Sequence, residues 1–202
     1  MGDVNGDWVE DLIVGASRDD TIAEDSGSAH VFSGADGSTL YNFYGDSEGG
    51  WFGTSVSGAG DVNGDGFDDV IVGTIFDFDR TGSAQVFSGS DGSILYDFAG
   101  DSTSFFGQST IDVGDVNGDG LADFVIDAPF GGANDGGYAR LYVSQIVTLG
   151  DCDLDGEVTF QDITPFVDIL VMESYLPQAD IDQNGAVDFL DIAPLTEILS
   201  AL

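Results

Sequence analysis

The chain is nearly devoid of positive charge. Its 202 residues include three arginines (Arg18, Arg80 and Arg140) and no lysine, against 38 acidic residues, so the formal net charge is −35 at pH 7. A field of this sign repels nucleic acid and anionic membrane surfaces, and it attracts cations. The charge therefore excludes nucleic acid and anionic membrane surfaces as partners, and it favours a cation-binding protein.

Histidine, cysteine and long apolar runs are also scarce. His30 is the only histidine, and its equivalents in the repeats described below are Gln85 and Arg140, so we expect a solvent-facing polar position and not a catalytic base. Cys152 is the only cysteine, which excludes an intramolecular disulfide. No apolar run is long enough to span a bilayer, and no secretory signal precedes the first acidic loop.

Acidic loops of fixed spacing are what the chain has in abundance. The segment 61–69, DVNGDGFDD, places Asp or Asn at positions 1, 3, 5 and 9, and near-copies occupy residues 3–11 and 115–123. Calcium takes six to eight oxygen ligands, and short side chains at alternate positions of a tight loop can point at one centre. Position 7 would add a backbone carbonyl. The predicted ligands are Asp3, Asn5, Asp7, Val9 and Asp11 in loop 1, Asp61, Asn63, Asp65, Phe67 and Asp69 in loop 2, and Asp115, Asn117, Asp119, Leu121 and Asp123 in loop 3. The alternative is a set of Asx turns whose side chains bond only to their own backbone.

Two longer loops close the chain, at residues 151–162 and 180–191. Each has twelve residues, with Gly156 or Gly185 at position 6 and an aspartate at position 12. The same chemistry predicts two more calcium sites, five in all. Their predicted ligands are Asp151, Asp153, Asp155, Glu157, Thr159 and Asp162, and Asp180, Asp182, Asn184, Ala186, Asp188 and Asp191.

Internal repeats organise the first three quarters of the chain. Residues 27–47 match residues 82–102 at 16 of 21 positions, and a weaker copy follows at residues 137–144. Short β-rich runs at 54–59, 70–74, 84–88 and 94–98 alternate with turns rich in Gly, Asp and Ser. Each unit therefore predicts a four-stranded antiparallel sheet, and repetition at this period suggests propeller blades.

Residues 1–144 resemble the FG-GAP repeats of integrin α-chain propellers. The resemblance rests on Phe52-Gly53 and Phe106-Gly107 before the loops and on Gly15-Ala16, Gly73-Thr74 and Asp127-Ala128-Pro129 after them. It implies that loops 1–3 bind calcium within their blades. Such propellers have about seven blades, whereas this chain has about three, of which the first lacks its opening strand and the third a clear fourth strand. We expect a piece of a longer propeller, with assembly of several chains into a ring as the alternative.

Residues 150–202 resemble a dockerin domain. The resemblance rests on the two twelve-residue loops, their spacing of 29 residues, Asp in place of Glu at position 12 and the lack of a helix before each loop. It implies two short helices, beginning near Pro165 and Pro194, and docking to a cohesin-like partner through Phe160, Gln161, Phe189 and Leu190. The alternative is that the aromatic residues at these positions belong to the core of the domain. The predicted organisation is thus a mainly β domain of about three incomplete propeller blades (1–144), a linker (145–149) and a small α domain of two calcium loop-helix motifs (150–202).

Together these features predict a calcium-dependent extracellular binding or adhesion protein that is more typical of a binding module than of an enzyme. A dockerin-tethered polysaccharide-active enzyme and a purely structural cell-surface protein are the alternatives. Carbohydrate or a cell-surface protein could be the ligand of the propeller, since Trp8, Trp51, Phe76 and Phe78 could stack on sugar rings. The other interpretation of these aromatic residues is that they fill the spaces within and between blades.

Overall fold

The structure is a computed structural model that describes residues 2–101, 103–132, 134 and 136–145. The described residues fall within one compact unit, which ends at Gln145. The dockerin-like domain predicted for residues 150–202, with its ligands and its partner-binding residues, lies outside the described residues.

Three antiparallel sheets make up this unit. Sheet 1 contains β1 (Leu12–Ala16), β2 (Ser28–Phe32) and β3 (Thr39–Tyr44). Sheet 2 contains β4 (Phe52–Gly60), β5 (Asp69–Thr74), β6 (Ser83–Phe87) and β7 (Ile94–Ala99), paired in chain order. Sheet 3 contains β8 (Thr110–Gly114), β9 (Asp123–Ala128) and β10 (Tyr138–Tyr142), with β9 in the middle. The prediction of a mainly β fold with incomplete blades is confirmed, and among the described residues only sheet 2 has four strands.

Two hydrophobic cores lie between the sheets. Because successive residues of a strand point to opposite faces, β5 contributes Val70 and Val72 to the core shared with sheet 1, and Ile71 to the core shared with sheet 3. Phe43 and Phe87 stack in the first core with ring centroids 4.0 Å apart. All six residues of β5 are buried, as expected for a strand that is covered on both faces.

The Phe-Gly motifs join each sheet to the one before it. Phe52 forms a parallel bridge with Gly27, and Phe106 forms the same bridge with Gly82. Both phenylalanines are buried, and Ser55 Oγ donates a hydrogen bond of 2.9 Å to the carbonyl oxygen of Gly107 across the boundary between sheets 2 and 3. A Cβ on Gly73 would overlap this same carbonyl group. Gly73 and the motif residue Gly107 thus allow two backbones to meet where sheets 2 and 3 join.

One short helix, α1 (Asp77–Arg80), follows β5 and was not predicted. Within the described part of the chain, no helix is long and apolar enough to cross a membrane.

Candidate metal loops

Loops 1–3 occupy the same place in each sheet. Loop 2 (residues 61–69) is the turn between β4 and β5, loop 3 (115–123) is the turn between β8 and β9, and loop 1 (3–11) leads into β1. Each loop begins with an aspartate and ends with an aspartate at the start of the next strand. The sheet pairing therefore brings both ends of each loop together.

Backbone amides hold the first aspartate of loop 2. Asp61 Oδ1 accepts hydrogen bonds from the N–H groups of Gly64 (2.7 Å) and Asp65 (3.2 Å), and Asp61 Oδ2 accepts from Gly66 N–H (2.9 Å). Asn63 Oδ1 accepts from Asp65 N–H at 2.9 Å, and Asp65 Oδ1 accepts from Phe67 N–H at 3.0 Å. The side chains at positions 1, 3 and 5 are therefore all fixed by the loop's own backbone.

Loop 3 repeats this network. Asp115 accepts from the N–H groups of Gly118, Asp119 and Gly120 at 2.6, 3.2 and 2.9 Å, and these bonds hold the pKa of Asp115 below its usual value. Asn117 Oδ1 accepts from Asp119 N–H at 3.1 Å. The agreement between loops 2 and 3 shows that the repeated sequence specifies one local structure.

Loop 1 differs at position 6. Loops 2 and 3 have Gly66 and Gly120 there, with φ of 88° and 93°, whereas loop 1 has Trp8 with φ of 68°. A bulky residue in the left-handed region is strained, because its Cβ crowds the backbone. Trp8 N–H still donates to Asp3 Oδ2 at 2.6 Å, and the residue is 94% exposed. Loop 1 thus keeps the hydrogen bonds from positions 5 and 6 to its first aspartate, at a cost in backbone strain.

The aspartate at position 9 lies beneath each loop. Asp69 is fully buried, with Oδ2 accepting from Val62 N–H and Oδ1 from Gly89 N–H, both at 2.9 Å. Asp123 is equally buried and accepts from Val116 N–H at 2.9 Å and Ser144 N–H at 2.8 Å. Asp11 makes the same pair of bonds in loop 1, with Val4 and Gly34. The aspartate at position 9 thus ties its loop to the residues just after the second strand that follows the loop.

Burial raises the pKa of Asp69 to about 6. The N–H groups of Gly89 and Val62 oppose this shift, while the charges of Asp65 and Asp61 add to it. Three carboxylates of loop 2 therefore lie within electrostatic reach of one another. Since like charges disfavour the ionised form, a bound cation would relieve their repulsion.

The donor chemistry of the loops fits a hard divalent cation. Each carboxylate oxygen has two lone pairs, so Asp61 Oδ2, which accepts one N–H, retains a second acceptor site, whereas Asp61 Oδ1 accepts two. Among the described residues, however, no three His, Cys, Asp or Glu side chains are gathered as a metal cluster. The loops therefore contain the oxygen atoms that calcium prefers as ligands. In this structure the side chains of loops 1–3 bond to the backbone, as they do in Asx turns.

Contacts between neighbouring loops were not predicted. Asp68 N–H donates to the carbonyl oxygen of Asp3 at 3.1 Å, and Ala122 N–H donates to that of Asp61 at 2.9 Å. Position 8 of one loop thus bonds position 1 of the preceding loop in both pairs. The regular spacing of the loops was the only feature of the sequence that could have predicted these contacts. Backbone N–H donors cannot be recognised from residue type.

His30 lies in a polar network on sheet 1. Its Nε2 is 3.0 Å from Ser28 Oγ, its Nδ1 is 2.6 Å from Asn42 Oδ1, and Ser28 Oγ donates to Asp19 Oδ2 at 2.8 Å. The arrangement has the parts of a nucleophile and a base, but Ser28 is fully buried. Sheet 2 repeats the Asp–Ser pair, as Asp77 and Ser83, without a histidine. We therefore interpret the network as a support for the loop before β2.

The aromatic residues singled out from the sequence differ in environment. Trp51 has Arg18 Cζ 4.4 Å from its ring centroid and Phe76 at 4.5 Å, so other side chains of the protein cover part of it. Phe76 continues to Phe105 at 5.6 Å. Only Trp8, of the three whose side chains the structure describes, is almost wholly exposed.

Comparison with known proteins supports the repeat assignment. The family model described as FG-GAP repeat matches residues 52–87 and 108–142. The chain is 29% identical to integrin alpha-V of Gallus gallus over 153 residues, which is 70% of this chain and 14% of that protein. It is 33% identical to integrin alpha-5 of Xenopus laevis over 159 residues, which is 72% of this chain and 15% of that protein. Integrin alpha-4 of Xenopus laevis is 32% identical over 139 residues.

The chain spans about one seventh of the length of these relatives. The matched segments contain strands β4–β6 and β8–β10 together with loops 2 and 3. The resemblance to FG-GAP repeats is therefore shown for sheets 2 and 3, and the chain is similar to integrin α-chains over the lengths given above.

Proposed function

We propose that residues 2–145 are a calcium-braced, propeller-like binding platform in an extracellular adhesion or binding protein. The residues at positions 1, 3, 5 and 9 of loops 1–3, with the carbonyl group of position 7, are the proposed calcium ligands. Residues 150–202 are proposed to bind two further ions and to dock the protein to a cohesin-like partner.

One observation carries the calcium proposal: three loops share the same oxygen-bearing positions, and in each loop the amides of positions 5 and 6 bond the aspartate at position 1. Asx turns alone need only one or two such side chains, because each turn closes with a single side-chain oxygen. Here Asp61, Asn63, Asp65 and Asp69 are all present in loop 2, and loop 3 has the same set. Calcium would supply positive charge to carboxylates that otherwise repel one another.

Two features support the adhesion or binding role. The matched relatives are integrin α-chains, which favours recognition of another protein or of matrix at a cell surface. The extreme negative charge suits an exterior where millimolar calcium is available to weak sites. Location outside the cell follows from this calcium requirement.

The calcium proposal is tested by thermal unfolding of the full chain, with the circular dichroism signal of the sheets as the readout. Since calcium binds the folded state, each filled site should add about 2.7 kcal/mol at 100 times its dissociation constant. We expect the sheet transition to move upward with added calcium chloride and to return when EDTA is added. Magnesium at equal concentration should give a smaller shift, because it requires near-octahedral geometry.

A chain with Asp61→Ala and Asp65→Ala provides the control. It should lose the share of the calcium shift that belongs to loop 2 while keeping the remainder. If calcium leaves the wild-type sheet transition unchanged, the loops are Asx turns and the calcium proposal is wrong.

A further inference from the structure

Loops 1 and 2 make three contacts with each other, two hydrogen bonds and one ring contact. Asp68 N–H donates to the Asp3 carbonyl oxygen at 3.1 Å, and Asp3 N–H donates to Asp68 Oδ2 at 2.6 Å. The ring of Phe67 lies against Gly6, where an added Cβ would come within 2.9 Å of it. Asp3 and Phe67 are proposed ligand positions, so the two loops meet at residues that would themselves hold calcium.

Loops 2 and 3 repeat two of these three contacts; the bond to the Asp68 carboxylate has no counterpart, because position 8 of loop 3 is Ala122. Ala122 N–H donates to the Asp61 carbonyl oxygen at 2.9 Å, and the side chain of Leu121 would lie 3.3 Å from a Cβ on Gly64. Position 8 again bonds position 1 of the preceding loop, and position 7 again covers the glycine at position 4. The contact is therefore a repeated feature of the fold, and loop 2 is the middle member of a row.

The residues at position 2 anchor loops 1 and 2 in the cores, whereas Val116 at position 2 of loop 3 is 51% exposed. Val4 is buried in the core between sheets 1 and 2, and Val62 is buried in the core between sheets 2 and 3. A change in the backbone of one loop is therefore resisted by the core that the neighbouring sheet shares. Packed elements of this kind transmit order from one site to the next, because fixing one contact removes part of the entropy cost of fixing the other.

We infer that loops 1, 2 and 3 bind divalent cations cooperatively, with loop 2 coupled to both of its neighbours. The inference rests on the proposed calcium function and adds the order of coupling. Filling loop 2 fixes Asp61, which holds loop 3 through Ala122, and it fixes Phe67 and Asp68, which hold loop 1. Within the described residues, the hydrogen bonds between loops join only neighbours in the row.

Site-resolved calcium titration tests the coupling. In the ¹⁵N-labelled full chain, the backbone amides of Trp8, Gly66 and Gly120 occupy position 6 of loops 1, 2 and 3, so each reports its own loop by NMR. The variant Asn63→Ala removes a ligand from loop 2 without changing the charge of the chain. We expect the calcium midpoints at Trp8 and Gly120 to rise by about 5-fold or more, the lower end of typical coupling between sites.

Asn5→Ala is the matched control, since it removes the equivalent neutral ligand from an end loop. It should raise the midpoint at Gly66 and leave the midpoint at Gly120 within about 2-fold of wild type, a smaller change than typical coupling. Unchanged midpoints at Trp8 and Gly120 in Asn63→Ala would overturn the cooperative inference while leaving calcium binding intact. If the position-6 amides of the wild-type chain do not respond to calcium, the proposed function fails and the inference fails with it.

Discussion

At the scale of single residues, the aspartate at position 9 has a role beyond that of a ligand. The spacing predicts oxygen atoms at a metal, yet Asp123 is buried and uses both of its oxygens to accept backbone amides, from the part-buried Val116 and the buried Ser144. Its carboxylate would therefore brace the sheet even without calcium. In contrast, Asp119 at position 5 is exposed and bonds only within its own loop.

Asp123→Asn should destabilise the sheets by about 2 kcal/mol in EDTA. An amide has one acceptor oxygen, so one of the two N–H groups that now bond Asp123 would face the new NH₂ group without a partner, which costs about 1–3 kcal/mol. The measurement is the urea midpoint of sheet circular dichroism, together with hydrogen exchange at Ser144.

Asp119→Asn is the control for this prediction. It removes the same charge from the same loop and should cost less than about 0.5 kcal/mol without calcium, as is usual for an exposed substitution. Equal effects of the two variants would show that the buried amides do not depend on Asp123.

Side-chain oxygens at fixed spacing were readable from the sequence, whereas backbone donors were not. Spacing alone placed Asp61, Asn63 and Asp65 on one loop, where their side chains bond to its backbone, and their role as metal ligands stays a prediction. The strain at Trp8 was missed, although the glycines at the same position of loops 2 and 3 were a usable signal. The amide groups of Gly89 and Ser144 are missing from any residue pattern, because every residue except proline has one.

At the scale of elements, the strand predictions for the second unit are confirmed. The expected runs 54–59, 70–74, 84–88 and 94–98 correspond to β4, β5, β6 and β7, with boundaries that differ by at most two residues. Alternation of apolar residues was sufficient here because the register of a sheet is fixed when its faces are buried. The helix α1 has only four residues, too few to show helical periodicity.

The close approach of sheets at the Phe-Gly motif gives a second prediction. Gly107→Ala should destabilise sheet 3 more than Gly114→Ala does, by about 1–3 kcal/mol, because its Cβ would overlap the carbonyl group of Ser83. Both glycines have positive φ, 79° and 67°, so both substitutions share the backbone cost of about 1 kcal/mol. Gly114 has no atom within 4 Å of its added Cβ.

Urea unfolding measures the difference in stability between the two variants. Hydrogen exchange at the amides of Phe106 and Phe124 shows where the change lies. Faster exchange in Gly107→Ala alone would locate the damage at the boundary between sheets 2 and 3. Equal costs would show that this boundary adapts to a methyl group and that the glycine serves the turn only.

At the scale of the whole molecule, the sequence separates two kinds of calcium loop. Loops 1–3 are part of sheets whose cores bury Phe, Val and Ile side chains, so those sheets have stabilisation that does not depend on an ion. Residues 150–202 form a short segment, and the dockerin-like prediction gives it only two helices to pack together. Small domains of this length depend on metals or disulfides, and Cys152 has no partner cysteine.

Chelation should therefore unfold residues 150–202 before it unfolds the sheets. In excess EDTA we expect helical circular dichroism at 222 nm to fall while the urea midpoint of the sheet signal decreases only partly. A chain with Asp151→Ala and Asp180→Ala should lose the helical signal even in calcium, and it should no longer retain a cohesin-like partner in a calcium-dependent pull-down. Asn63→Ala, which alters only loop 2, should keep both properties. Helical circular dichroism that survives EDTA, or partner binding that survives the double substitution, would contradict the assignment of docking to the C-terminal loops.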